Sequence, residues 1–270
     1  MNVMITGAGG GLGRALASEC AQRSYNLFLT DINQSGLTAL QRGLEHQYGA
    51  CVAAKACDLT KDDCVDELLS VIDRCGVKFD MLLNVAGVDC EGSFLGRERG
   101  RILEIVSLNI GATLRITHAI LTRRRPGRRF FLVFVSSLAS MYPMPLKATY
   151  AASKRFLLDF SLALGQELKS QNADVLALCP GGLATTAEAM RAIAAQGIWG
   201  DITANKLERV ARSTVDKALR GKSLYIPGLV NRVLSACGRL VPRKLAAAAI
   251  YKRWTKSQEK WLIHESHNTD

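Results

Sequence analysis

Along this chain the spacing of apolar residues alternates between two habits: short runs apolar at nearly every position, and longer stretches where they return every three or four residues. The first suits strands buried on both faces, and the second suits helices that cover them. Seven strands are predicted: 2–6 (NVMIT), 26–30 (NLFLT), 51–57 (CVAAKAC), 80–85 (DMLLNV), 130–136 (FFLVFVS), 174–179 (DVLALC) and 223–227 (SLYIP). Helices fill the intervals, and this alternation is how a parallel sheet with right-handed crossovers is written. The expected fold is therefore α/β, a doubly wound parallel sheet flanked by helices. No repeat, linker or low-complexity tract breaks the pattern, so residues 1–270 are read as one domain with a core at 2–227. Residues 228–270 differ, being basic, helical and weakly patterned, and are read as a C-terminal extension.

Composition narrows the picture only a little. With 270 residues and 48% hydrophobic side chains, the chain can bury a large core. The first apolar run has no basic segment before it and no small-residue cleavage site after it, so no secretory signal is expected. The longest clean apolar block, FFLVFV at 130–135, is far short of the roughly 20 residues that span a bilayer. Eight cysteines, at 20, 51, 57, 64, 75, 90, 179 and 237, form no CxxC pair and have no histidine at zinc spacing. They are expected to be reduced thiols, which implies a cytoplasmic protein without a metal site.

The net charge of +11 raises nucleic acid as a partner, and its distribution argues against one. The run RRRPGRR (123–129) sits in a Pro-Gly turn without interleaved aromatics, as a solvated loop would. From Arg220 to Lys260 there are ten Lys or Arg and one acid, Glu259. Together with Val230, Val233, Leu234, Leu240, Val241, Ile250 and Trp254, these could close a substrate pocket, join subunits, or lie on an anionic membrane. Pocket closure or subunit contact is the preferred expectation.

Candidate chemistry starts at TGAGGGLG (6–13), a glycine turn placed between the first strand and the first helix. Glycines there let the backbone turn sharply and approach a pyrophosphate, whose charge meets the helix amides. Asp31, closing the second strand, can accept hydrogen bonds from both ribose hydroxyls and would repel a 2′-phosphate, so NAD is expected over NADP. In TYAASK (149–154), Tyr150 and Lys154 stand at i and i+4 on one helix face. The expectation is that Lys154 stabilises the phenolate, bringing a group with a pKa of about 10 toward neutrality so that Tyr150 works as acid and base. Ser137 ends the fifth strand at the carboxyl edge, where its hydroxyl can donate to a substrate carbonyl, and Asn109 needs a reason to lie inside a helix, such as holding a buried water.

Taken together, TGAGGGLG, NVAG (84–87), Asn109, Ser137, YAASK and CPGGLATT (179–186) resemble the short-chain dehydrogenase/reductase family from Asn2 to about Pro227. The resemblance implies a Rossmann-type fold and a catalytic tetrad of Asn109, Ser137, Tyr150 and Lys154, with Asn109 supporting a water relay behind the lysine. It implies a cofactor lined by Thr6, Gly7, Gly9, Gly10, Gly11, Leu12 and Gly13, and by Asp31 and Ile32. Asp58 borders the adenine, Cys57 and Leu59 beside it and Asn84, Ala86 and Gly87 line the cofactor, and Tyr150 and Lys154 touch it. Pro180, Gly181, Leu183 and Thr185 complete the list, Thr185 on the carboxamide side of the nicotinamide. Val85 departs from the usual Asn-Asn-Ala-Gly, and the tail is longer than the minimal pattern, loosely resembling lipid and steroid ketone reductases.

The implied reaction is NAD-dependent interconversion of a secondary alcohol and a ketone. Residues 183–204, rich in Ala, Met, Ile and Trp, favour a lipophilic substrate such as a hydroxysteroid or a long-chain ketone. A 3-oxoacyl reductase and a non-catalytic NAD-binding protein are the alternatives. Helical stretches 102–121 and 156–168 carry apolar residues on more than one face, so a homodimer or homotetramer is expected.

Overall fold

The computed structural model describes residues 1–184, 190, 203–238 and 241–266. Seven strands form one sheet: β1 Asn2–Thr6, β2 Asn26–Asp31, β3 Val52–Ala56, β4 Met81–Asn84, β5 Phe130–Val135, β6 Ala173–Leu178 and β7 Leu224–Tyr225. Their spatial order is β3-β2-β1-β4-β5-β6-β7, and every neighbouring pair is parallel. Each strand was visible in the sequence. β7 is shorter than expected, because Pro227 has no N–H to continue the ladder.

Val3 stands opposite Leu27 of β2 on one side and Met81 of β4 on the other. The chain therefore runs outward from β1 to β3 and then crosses back to begin at β4. Such a reversal leaves a crevice beyond the carboxyl ends of β1 and β4, where open sheets of this kind bind their ligands.

Helices cover both faces. On one side α1 (Gly11–Gln22), α2 (Gln34–Tyr48) and a helix at Leu207–Leu219 bury Leu12, Leu16, Leu37, Val210 and Val215 against Val3, Ile5, Leu29 and Leu83. On the other, α3 (Asp62–Arg74), α4 (Arg99–Val106), α5 (Thr113–Leu121) and α6 (Ala148–Glu167) bury Leu68, Ile72, Ile105, Ile116 and Leu157. Their partners include Met4, Phe28, Leu82 and Phe134. Successive strand residues thus serve opposite cores, which is why the strands read as unbroken apolar runs. The Leu207–Leu219 helix is α7, and the tail adds α8 (Leu229–Gly238) and α9 (Arg243–Ser266). Among the described residues no helix is long and apolar enough to cross a membrane, and no cluster of metal-binding side chains occurs.

The arginine run is not free. Arg123 grips Asp73 with two nitrogens at 2.7 and 2.6 Å, Arg125 grips Asp80 at 2.8 Å, Arg124 reaches the Gln171 side chain at 3.1 Å, and Arg129 pairs with Asp174. Asp80 also accepts the Asn2 amide at 2.7 Å. The run thus fastens the start of β5 to β1, α3 and β6, a use of charge that composition alone does not reveal.

Candidate active site

The glycine turn is as tight as its sequence requires. Gly7 has φ +63°, and a Cβ there would lie 2.7 Å from the Ala86 Cα; at Gly13 it would lie 2.1 Å from the Gly7 carbonyl oxygen. No larger residue fits either place. Helix α1 opens at Gly11 with no side-chain cap and no acid in its first turn, which leaves its leading amides as donors. The Thr6 hydroxyl accepts from the Val85 and Ala86 amides at 3.1 and 3.2 Å, holding the turn after β4 against the glycine turn. This cradle of close backbone and uncapped amides fits the pyrophosphate of a dinucleotide.

Asp31 does more than close β2. Its carboxylate accepts the Gly9 amide at 2.8 Å and the Asn33 amide at 3.0 Å, so it braces the glycine turn from outside. Its remaining lone pairs can meet a ribose. Arg14 donates to the Gly9 carbonyl at 2.7 Å, and its guanidinium lies 3.4 Å from where a Gly36 Cβ would stand. The first turn of α1 thus sets a cation at the edge of the glycine turn.

The other cofactor candidates differ in their surroundings. Ile32 is exposed and Gly10, Gly87 and Gly181 lie at turns near the crevice. Asp58, after β3, accepts from the Thr60 hydroxyl at 2.6 Å and the Thr60 amide at 3.0 Å, which holds its carboxyl below the usual range, with Lys61 adding to the effect. Leu12, Cys57 and Leu59 are buried in the two cores, and burial pushes the Cys57 thiol up to about 12. Asn84 donates to the Thr117 hydroxyl at 2.9 Å. Pro180 accepts the Leu138 amide at 2.7 Å, and Leu183 bridges Asn205. Thr185 and most of the 183–204 segment lie outside the described residues.

The four tetrad residues meet at the carboxyl end of β4 and β5. Asn109 occurs in a π-helical turn, Ser107–Ala112, inserted between α4 and α5. Such turns re-aim side chains inside a helix. Asn109 is fully buried; its Oδ1 accepts the Val88 amide at 2.9 Å, while Nδ2 donates to the Val88 carbonyl and the Ser153 hydroxyl, both at 3.0 Å. A Cβ on Gly87 would lie 2.9 Å from that Oδ1 and 3.2 Å from the Lys154 Nζ, so Gly87 makes the room in which both sit.

Lys154 is buried and donates from Nζ to the Val135 carbonyl at 3.0 Å, with Nζ 5.7 Å from the Tyr150 ring centroid. The Ser137 hydroxyl lies close enough to Tyr150 to ease loss of the phenol's proton, and it accepts the Ala139 amide at 3.1 Å. The expected effect of Lys154 on the phenol is not what the protein alone gives. Burial pushes Tyr150 up to about 12, reinforced by the Asp89 carboxylate and opposed by Ser137 and Lys147. Burial also pushes Lys154 down to about 8, against the pull of Asp89 and Cys179. Desolvation is the largest influence on both groups.

Three features at the site were not read from the sequence. Lys147 lies 2.6 Å from Asp89 and 3.3 Å from Glu91, with its Nζ 5.7 Å from the Tyr150 ring centroid. Lys147 could have been found as a second basic residue three positions before Tyr150, at the cap of the same helix; Asp89, on the segment after β4, carried no signal. Asn231 of α8 is buried and donates to the Thr203 and Pro227 carbonyls at 3.0 and 2.9 Å, while Asn205 accepts the Gly181 amide at 3.1 Å. This asparagine pair ties the tail to the turn after β6.

Comparison with known proteins agrees with this geometry. A family model described as short chain dehydrogenase matches residues 1–196. Similar curated proteins include very-long-chain 3-oxoacyl-CoA reductase of Neurospora crassa, 37% identical over 64% of this chain and 53% of that protein. The Laccaria bicolor protein of the same name is 31% identical over 64% of this chain and 52% of its own length. Human 17-beta-hydroxysteroid dehydrogenase type 3 is 29% identical over 67% of this chain and 59% of its own. The chain thus spans about half the length of the first two relatives. Among solved structures, one reported for 7beta-hydroxysteroid dehydrogenase stereoselectivity superposes with TM-score 0.82 at 17% identity, covering 92% of this chain and 96% of that one. A 3-oxoacyl-[acyl-carrier protein] reductase from Brucella melitensis gives 0.74 at 24%, covering 84% and 89%.

Proposed function

The chain belongs to the short-chain dehydrogenase family, and on that premise we propose that it interconverts a lipophilic secondary alcohol and its ketone with a nicotinamide dinucleotide. The observation that carries the proposal is the meeting of Ser137, Tyr150, Lys154 and Asn109 beside the glycine turn, at the crevice where β1 and β4 end. When bound, the cofactor supplies or takes up the hydride. The chain does the rest. Ser137 donates to the substrate oxygen and aligns it, Tyr150 gives up or takes the hydroxyl proton, and Lys154 lies against the tyrosine and reaches toward the ribose. Asn109 keeps the Val88 segment and Ser153 in place behind the lysine.

Asp31 supports NAD over NADP, because a 2′-phosphate would meet its carboxylate; Arg14 works the other way from the edge of the same turn. Relatives named for very-long-chain 3-oxoacyl-CoA and for hydroxysteroids support a lipophilic ketone. Leu103, Val106, Phe156 and Leu162 are exposed on α4 and α6, which supports a homodimer or homotetramer formed through those helices. For α8 and α9, pocket closure or subunit contact is the preferred reading, with peripheral membrane contact through exposed Leu229, Val233 and Leu245 among basic residues as the alternative; a cytoplasmic location is also part of this reading.

The test is a panel of steroids, 3-oxoacyl thioesters and simple secondary alcohols followed by NADH absorbance. Turnover of a lipophilic member with NAD, lost in Tyr150→Phe while NADH binding persists, is the expected result. Full turnover in Tyr150→Phe ends the assignment, and a tenfold advantage for NADPH reverses the cofactor preference.

A further inference from the structure

Tyr150 is flanked by two ammonium groups, not one. The Nζ atoms of Lys154 and Lys147 each lie 5.7 Å from its ring centroid. They differ in their surroundings. Lys154 is buried and bonded to a backbone carbonyl, whereas Lys147, with a side chain 15% exposed, is held by Asp89 at 2.6 Å and Glu91 at 3.3 Å. The Lys147 Nζ also lies 5.5 Å from the Trp254 ring of α9. The ammonium therefore sits against a phenol and an indole, with its position fixed by two carboxylates.

We propose that Lys147 is a positioning residue for the proton-transfer step: with Asp89 it forms a second charge pair beside Tyr150 that sets how readily the phenol releases its proton. The inference rests on the reading of Tyr150 as the acid and base. Among the described residues, the charged and titratable groups around the phenol are Lys147 at the N-terminal cap of α6, Lys154 within it, and Asp89 from the segment after β4. Glu91 joins them through Lys147, and Cys179 lies close to Lys154.

The two members of the pair act in opposite directions. The Asp89 charge disfavours the phenolate and the Lys147 charge favours it. Burial alone would lower the Lys147 pKa, yet Asp89, by charge and hydrogen bond, and Glu91 hold it above the ordinary lysine range. Lys147 thus stays charged throughout the working pH range. Neutralising either partner leaves the other uncompensated, so the two single variants must displace the tyrosine titration in opposite senses.

The test uses the full chain with Lys147→Met, Asp89→Asn, the double variant, and Lys147→Arg. The first readout is the pH profile of kcat/KM for alcohol oxidation, which rises as Tyr150 loses its proton. The second needs no turnover: fluorine resonance titration of 3,5-difluorotyrosine placed at position 150, whose more acidic phenol titrates where the protein stays folded. A unit charge about 6 Å away at an effective dielectric near 40 displaces a titration by about one pH unit. Lys147→Met is expected to raise both midpoints by about that amount and Asp89→Asn to lower them. The double variant and Lys147→Arg should return close to the wild type. Midpoints unmoved by either single variant overturn the proposal, even if stability or activity falls. If the wild type turns nothing over, the reading of the activity fails while the fluorine titration still decides for or against Lys147.

Discussion

Replacing Lys154 with Met should make the protein more stable at pH 7 while ending turnover. The buried ammonium has its pKa lowered from 10.5 to about 8, chiefly by burial. At 1.36 kcal/mol per pH unit, the charged form is therefore disfavoured by about 3 kcal/mol in the folded state relative to the unfolded chain. Met fills a similar volume without charge, but leaves the Val135 carbonyl without its donor, which costs about 1 kcal/mol. The expected net gain is about 2 kcal/mol. The sign with pH follows from linkage. Between about 8 and 10.5 the unfolded chain holds a proton on residue 154 that the folded one has released, so wild-type stability should climb as pH rises from 8 toward 10. Above 10 the raised pKa of Tyr150 turns the slope the other way. Urea unfolding at pH 7, 8, 9 and 10, followed by tryptophan fluorescence, measures both effects. A Lys154→Met protein less stable than the wild type at pH 7, or one whose stability climbs with pH as steeply, would refute this account of the buried lysine.

Other substitutions probe the same site. Gly13→Ala drives a methyl group to within 2.1 Å of the Gly7 carbonyl oxygen, so it should cost about 2 kcal/mol or more of stability and abolish NADH binding, checked by unfolding and by fluorescence titration of NADH. Asn109→Ala strips three hydrogen bonds from a fully buried position and should destabilise by about 2–4 kcal/mol, with kcat falling more than KM rises in steady-state kinetics. Asp80→Ala should cost about 2 kcal/mol in chemical unfolding, because its carboxylate is buried and serves both Arg125 and the Asn2 amide. Exposed Asp159→Ala, which breaks only an i,i+4 pair with Arg155, should change stability by less than about 0.5 kcal/mol.

The fold was legible because the central strands are buried on both faces and each crossover helix carries its own period. The glycine turn and the Tyr150–Lys154 spacing were legible for the same reason: their geometry is local, fixed within one turn or one helix. What the sequence hid is long-range. Asp89 reaches Lys147 across 58 positions, and Asn231 reaches Asn205 across 26. The π-helical turn at Ser107–Ala112 also left no mark, since its residues are ordinary helix formers apart from Gly111 and Asn109. The spacing of Tyr150 and Lys154 shows the ammonium but not the depth of burial, which is the largest influence raising the phenol in the chain alone. The arginine run looked like a solvated loop because its partners, Asp73, Asp80 and Asp174, are scattered along the chain.

The borders of the sheet bear on how the protein behaves when concentrated. On one side β7 offers only Leu224 and Tyr225, too little backbone to template an incoming strand. On the other, β3 carries Lys55 near its end, opposite Thr30 and bonded to Glu67, so an added strand would have to bury a cation. Fibrillar self-pairing is thereby obstructed at both margins, and any clumping in a concentrated stock should come from the apolar helix flanks and dissolve again on dilution.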